Sequence, residues 1–396
     1  MTKRIVTPAQ AANQLKSAYF WITLFLVLNT AVKPKAQTQN TDFERIKLIG
    51  TDKVYAGLAL SPDGKTLAIS TKKMQPIRLV DIESQQIIKE INAGLWYPGS
   101  RLNYSQKGTY LLVQELGFYD MVENKRRKIN FELVEVSGGR IVKAFEAVQD
   151  VIVSHDEKFV ASLAGDEITL WSLPDLNKTK TIKLSTAADA IALSPDNKTL
   201  VVSHTVSPAA LKADPVFKKQ KKAAKLALKY KQQISFYNVE TAALLQTLNN
   251  LYDIIYRLRY SDDGSVVFVF QLPHLKVMTS KQPLAYVNMA DAVAMKPMRR
   301  GLTSQAVGQP DIRLSLDGKL FAINSKGKRF QEIHLYDYET GTLHKRFELG
   351  QRFFEKSSEG DKLIRDSRPS FVFLPGDQSI LVAMGNQLVV WNINEE

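Results

Sequence analysis

Five histidines, His155, His204, His274, His334 and His344, are the residues of this 396-residue chain best suited to proton transfer or metal binding, and there is no cysteine. No pair of them has a metal-ligand spacing. The lack of cysteine removes thiol nucleophiles, zinc–thiolate centres and disulfides. No glycine-rich phosphate loop, nucleophile elbow or zinc-binding helix pair is visible. The sequence therefore predicts no catalytic residue, no metal and no cofactor, and structural or surface roles for the histidines.

The chemistry that the composition favours is charge. The formal charge is +13, and Lys3, Arg4, Lys16, Lys33 and Lys35 supply five cations within an acid-free 1–36, leaving +8 for 37–396. The densest basic run is 207–233, "SPAALKADPVFKKQKKAAKLALKYKQQ", with Lys218, Lys219, Lys221, Lys222, Lys225 and Lys229. From about 215 to 232 its composition is helix-forming, with Pro215 suited to a first turn. Phe217, Ala224 and Leu228 fall on one helical face, Leu226 and Tyr230 on another. That is weak amphipathicity, unsuited to membrane insertion.

The elements that carry these residues repeat. A polar turn recurs seven times, as "SPDGKTLAIS" (61–70), "SQKGTYLLVQ" (105–114), "SHDEKFVASL" (154–163), "SPDNKTLVVS" (194–203), "SDDGSVVFVF" (261–270), "SLDGKLFAIN" (315–324) and "PGDQSILVAM" (375–384). Each copy has an apolar strand on either side. Asp, Asn and Gly supply the turn because they tolerate left-handed backbone or bond to it locally, so each copy reads as a β-hairpin. Third strands follow in "PIRLVDIES" (76–84), "ITLWSLPD" (168–175), "ISFYNVET" (234–241) and "IHLYDYETG" (333–341), and fourth strands in "IIKEINAG" (87–94), "IVKAFEA" (141–147) and "KTIKLS" (180–185). In the fifth unit "LKVMTS" (275–280) and "PLAYVNM" (283–289) are the expected third and fourth strands.

Four strands per unit, in units of about 40–67 residues, predict an all-β, seven-bladed β-propeller of four-stranded blades over 42–396. The last unit ends after its third strand. "DFERIKLIG" (42–50) has the fourth-strand pattern and is expected to complete that blade and close the ring, which removes open sheet edges. The third-strand ends "VD" (80–81), "WS" (171–172), "YN" (237–238), "YD" (336–337) and "WN" (391–392) look like worn Trp-Asp dipeptides. On those residues and the seven turns the chain resembles the WD-repeat and YVTN-type propellers, although the Gly-His pair of regular WD repeats is absent. The resemblance implies a fold and many possible functions, among them scaffolds and lactonase-like or quinoprotein-dehydrogenase-like enzymes.

In such a ring the strand-two-to-three and strand-four-to-one connections share one face, and the repeated turns lie on the other. The first face collects basic residues: Lys72 and Lys73, then Lys125, Arg126 and Arg127, the lysines of 207–233, Arg299 and Arg300, and Lys328 and Arg329. "GLWYPGS" (94–100) and "ELGFYD" (115–120) place Trp96, Tyr97, Phe118 and Tyr119 on the same face, as core caps or contact anchors. The expected function is a non-catalytic binding or scaffold propeller that presents this face to an acidic protein or an anionic envelope polymer, most simply as a monomer. A propeller enzyme and a cytosolic scaffold binding nucleic acid or protein are the alternatives.

Residues 18–32, "AYFWITLFLVLNTAV", are uncharged behind three cations. The run is too short for a spanning helix, which needs roughly 20 apolar residues, and fits a secretory core behind a positive segment. Residues 1–36 are therefore expected to be a signal peptide or signal anchor and 37–41 a linker. The propeller would then be exported, periplasmic or envelope-associated, with nucleic acid excluded and membrane contact confined to the N-terminal segment.

Overall fold

The computed structural model describes residues 54–116, 119–120, 125–126, 129–206, 209, 232–248, 254–272, 285–304, 311–315, 317–326, 331–348, 369–385 and 387–394. Among the described residues six four-stranded sheets and one three-stranded sheet follow one another along the chain, with a two-stranded hairpin inserted in the second, and within each sheet successive strands pair antiparallel. The chain is a seven-bladed β-propeller. Blade one runs Tyr55–Leu60, Thr66–Thr71, Ile77–Asp81 and Ile87–Ile91; blade two runs Ser100–Tyr104, Tyr110–Glu115, Ile129–Glu135 and Arg140–Val148. The innermost strands of the rest are Asp150–Val153, Ala188–Leu193, Ile254–Tyr260, Ile312–Leu314 and Ser370–Phe373. The segment 42–50, expected to complete blade seven, lies outside the described residues, as do 1–36.

Ring closure is visible without that segment. Seven buried clusters fill the seven spaces between consecutive blades. One joins Ala59, Ile77 and Leu79 of blade one to Leu102, Leu111 and Val134 of blade two. Another joins Val372, Leu381 and Leu388 of blade seven to Tyr55, Leu58 and Ile69 of blade one. The amide of Tyr55 also donates to the Gly385 carbonyl at 2.7 Å, blade one to blade seven. A blade buries both faces only between two neighbours, so the closed ring is the arrangement in which none is left exposed.

The repeated turn is one hydrogen-bonded unit. Ser61 Oγ donates to Asp63 Oδ1 at 2.5 Å, which also accepts the Lys65 amide, while Ser61 Oγ accepts the Thr66 amide. The same set recurs around Asp196, Asp263 and Asp317. These hydrogen bonds hold the Asp63 and Asp317 carboxyls below the usual range, so the acids of this face are committed to turn structure.

The dipeptides have a local role. Asp81, Asn238 and Asp337 accept backbone amides from Ser84, Thr241 and Thr340, each capping its own strand-three-to-four turn. Beside these turns runs a strap between blades that the sequence did not advertise. Lys89, Lys180 and Lys345, each in a fourth strand, donate to carbonyls at the end of the next blade's third strand, at Val136, Val239 and Ile393. Lys143 instead lies over the Trp171 ring of the next blade, 3.8 Å from its centroid.

Blade five corrects the sequence reading. Its third strand is Ala285–Asp291 and its fourth is Lys296–Ser304. Val266–Gln271 pairs with Tyr286–Asp291, and Asp291 accepts the Val293 and Ala294 amides as the turn cap. The dipeptide equivalent is therefore "AD" at 290–291, and 275–280 lies in the strand-two-to-three connection, outside the described residues. Arg299 and Arg300 thus belong to the fourth strand on the outer rim and not to a loop over the ring, because the true third strand sits one strand later than its apolar pattern suggested.

Candidate functional site: the loop face and an arginine cluster on the axis

The two connection types do share a face. The Lys73 amide in the strand-two-to-three connection of blade one donates to the Tyr97 carbonyl in the following strand-four-to-one connection, at 2.9 Å. The Ala188 amide bonds to Gly165 in the same way between blades three and four. Lys73 is exposed there and Lys72 half-buried. Of the predicted aromatic anchors, Trp96 packs on the core between blades one and two and caps it. Tyr97 is 70% exposed, and Met74 and Leu95 in the same two connections are exposed too. Lys125 and Arg126 lie on a short extra hairpin, backbone-paired with Asp120 and Tyr119. Arg127, Phe118, Lys328, Arg329 and the six lysines of 218–229 lie outside the described residues, as does the expected helix at 215–232 except for Gln232, which opens the third strand of blade four, Gln232–Asn238.

Beneath this face is a cluster that the sequence reading passed over. Arg101 of blade two, Arg257 of blade five and Asp311 of blade six occupy the same place in the repeat, four residues before the turn serine of Ser105, Ser261 and Ser315. Arg259 and Arg313 are two residues further along. The Asp311 carboxylate lies 3.8 Å from Arg101, 3.5 Å from Arg257 and 3.4 Å from Arg313. Blade two is next to neither blade five nor blade six, so its Arg101 can meet their side chains only at the ring axis. Arg313 reaches further. Its Nη2 donates to the Leu58 carbonyl of blade one at 2.8 Å and its Nη1 to Asn103 Oδ1 of blade two at 3.3 Å.

The electrostatics are one-sided. Three guanidinium groups face Asp311 on the axis, and a fourth, that of buried Arg259, has Asp262 acting on it from the turn side. The three arginines beside Asp311 outweigh its burial and hold its carboxyl down at about 2. Burial, reinforced by Arg257 and Arg313, pulls Arg101 down to about 9. It is still cationic at neutral pH but held at a cost. Arg257 Nη1 and Arg313 Nε are buried without a hydrogen-bond partner among the described residues. At the next homologous places Asp150 and Ser370 bond instead to the amides of the following blade, Ile191 and Leu58.

The histidines play other parts. His204 is 2% exposed, with Nδ1 2.9 Å from Thr186 Oγ1 and Nε2 2.7 Å from Ser235 Oγ, and burial pulls it down to about 4. Among the described residues no carboxylate completes a triad, and Ser235 is fully buried. His334 bonds to Glu332 at 2.6 Å. Among the described residues no group of three or more His, Asp or Glu is placed to hold a metal ion, and no helix is long and apolar enough to cross a membrane.

No protein-family model matches the chain, and no curated protein is similar to it in sequence. Among solved structures it is similar to Kuenenia stuttgartiensis hydrazine synthase, with a TM-score of 0.55 over 90% of this chain and 99% of that one, at 16% identity. At that identity the likeness shows the fold alone, and the fold it shows is the propeller.

Proposed function

We propose that this protein is a non-catalytic binding propeller, exported to the cell envelope, whose loop face takes an acidic protein or an anionic envelope polymer. The observation that carries the reading is the bond between Lys73 and Tyr97. It ties two connections together, so that exposed Lys73 and exposed Tyr97 belong to adjoining loops on the face to which the sequence assigns the basic insertions. Aromatic and cationic groups together are what binding hot spots use, and surplus positive charge steers an acidic partner to the face. The residues that would carry the contact are Lys73, Tyr97, Met74 and the lysines at 218, 219, 221, 222, 225 and 229.

The test uses the full chain on immobilised polyglutamate at low and physiological salt. Beside it run Tyr97→Ser and a variant with those six lysines changed to Gln. The expected result is retention that both variants lose in part and that salt weakens. Equal retention of all three proteins would discard the loop face as a binding surface. Export is tested separately, by sequencing the N-terminus of the mature protein, which should begin near residue 37.

A further inference from the structure

We infer that the ring axis is a binding site for a small oxyanion of the carboxylate or phosphate kind, held between Arg101, Arg257 and Arg313. This inference does not rest on the loop-face reading. The first argument is distance. A charge-assisted bond from guanidinium to carboxylate closes to roughly 2.7–2.9 Å. The three arginines stand 3.4, 3.5 and 3.8 Å from Asp311. One carboxylate is shared three ways and satisfies none of them at full strength.

The second argument is the donors left over. Arg313 Nε, and Arg257 Nη1 apart from its 3.5 Å ion pair with Asp311, have no hydrogen-bond partner among the described residues although both atoms are buried. A buried unpaired donor is costly, and more so on a charged group. Among the described residues no second acid pairs with Arg101, whose side chain is only 10% exposed. An entering oxyanion would meet donors that are already oriented, with little left to reorganise.

The third argument is access and size. Arg257 and Arg313 keep 18% and 14% of their side-chain surface exposed, so these two side chains touch solvent although Arg257 Nη1 and Arg313 Nε themselves lie inside. The groups come from blades two, five and six and meet on the axis, which suits a compact ion rather than a polymer. The planar guanidinium fork selects oxygen pairs, as in a carboxylate, phosphate or sulfate, over a spherical halide.

The experiment is thermal unfolding of the full chain in chloride buffer, titrated at constant ionic strength with inorganic phosphate, sulfate or acetate, and isothermal titration calorimetry with the same ions. Arg101→Met, Arg257→Met and the surface control Lys73→Gln run in parallel. A ligand that binds only the folded state raises the midpoint, here by about 2 °C or more at saturation. The expected result is a rise with phosphate, sulfate or acetate but not with added chloride, weakened at least about tenfold in affinity by each arginine variant and unchanged in Lys73→Gln. Should Arg257→Met fail to fold, Arg257→Lys keeps the charge without the fork and is expected to weaken binding by a smaller factor. The tetrahedral and planar ions separate the two ligand kinds. No midpoint rise in the wild type, or the same rise in wild type and arginine variants, would overturn the site.

Discussion

Arg313 Nη2 donates to the Leu58 carbonyl at 2.8 Å, a bond that joins blade six to blade one without passing through blade seven. A ring of blades is otherwise held by nearest-neighbour packing, as the seven interblade clusters are. This guanidinium adds a link across the axis, and its second arm on Asn103 extends the link to blade two. Arg257, from blade five, faces the same carboxylate but makes no such bridge. The two arginines look equivalent in the sequence and are not equivalent in the fold.

Opposite consequences are expected when each is replaced. Arg313→Met removes a charged hydrogen bond to a buried carbonyl and should cost about 2 kcal/mol. Arg257→Met removes a cation from an overcrowded cluster and leaves no acceptor stranded, so its effect should lie between zero and a slight stabilisation. Urea unfolding of both variants at low salt measures the contrast. Two equal losses would show that Arg257 bonds as Arg313 does.

Asp311 is the acid that makes the axis tolerable. Its pKa is depressed from 3.8 to about 2, so its contribution is present above pH 4 and is lost as the pH falls through 2. Asp311→Asn leaves three guanidinium groups without their shared counter-charge and should cost roughly 3–5 kcal/mol at neutral pH. The variant should also lose the part of the acid-induced destabilisation between pH 4 and 2 that the wild type shows. Melting curves across that range decide it, and a variant as stable as the wild type would mean that the arginines are neutralised by something else.

Much of the ring was legible because its turns obey local chemistry. Ser61, Asp63 and Gly64 make their bonds within a few residues, so the pattern survives in one sequence. The face assignment followed from the order of the strands, and Lys73 with Tyr97 bears it out. Blade five misled because "PLAYVNM" has the apolar alternation of any strand, and only the turn cap at Asp291 distinguishes third from fourth. The arginine cluster was hidden for a deeper reason. Arg257 and Arg259 alternate with Tyr256 and Leu258, which is how an ordinary strand with one wet face reads. In the innermost strand of a ring that polar alternation points towards the axis. The available signal was comparison of one repeat position across blades, where Gly57, Arg101, Asp150, Ala190, Arg257, Asp311 and Ser370 mix four charges and a hydroxyl into an otherwise apolar strand.

Neighbouring turns also touch, and glycine is required more at one of them than at another. Gly64 has φ +72°, and a Cβ there would stand 2.7 Å from Pro375 Cγ of blade seven; Gly318 has φ +71° with open space around it. Gly318→Ala should cost only the left-handed strain, roughly 1 kcal/mol, and Gly64→Ala should cost more. Pro375→Ala combined with Gly64→Ala should remove the excess, because the ring that clashes is gone. A double variant no more stable than the sum of the singles would place the strain elsewhere.

His204 offers a test in pH. Burial lowers its pKa from 6.5 to about 4 while Thr186 and Ser235 occupy both ring nitrogens. The unfolded chain takes up a proton below 6.5 that the folded chain refuses until about 4. Stability therefore falls as the pH drops through that window, by up to about 3 kcal/mol from this residue. His155 and His334 are lowered too, both mainly by burial, so the wild-type slope contains more than one histidine. His204→Gln can still bond to Thr186 or Ser235 but cannot titrate. It should lose about 1 kcal/mol at pH 7 and show a pH slope smaller by about one proton between 6.5 and 4. Urea midpoints at half-unit pH steps read that slope directly. An unchanged slope would mean that the His204 ring is protonated in the fold, and that Ser235 and Thr186 both accept from it.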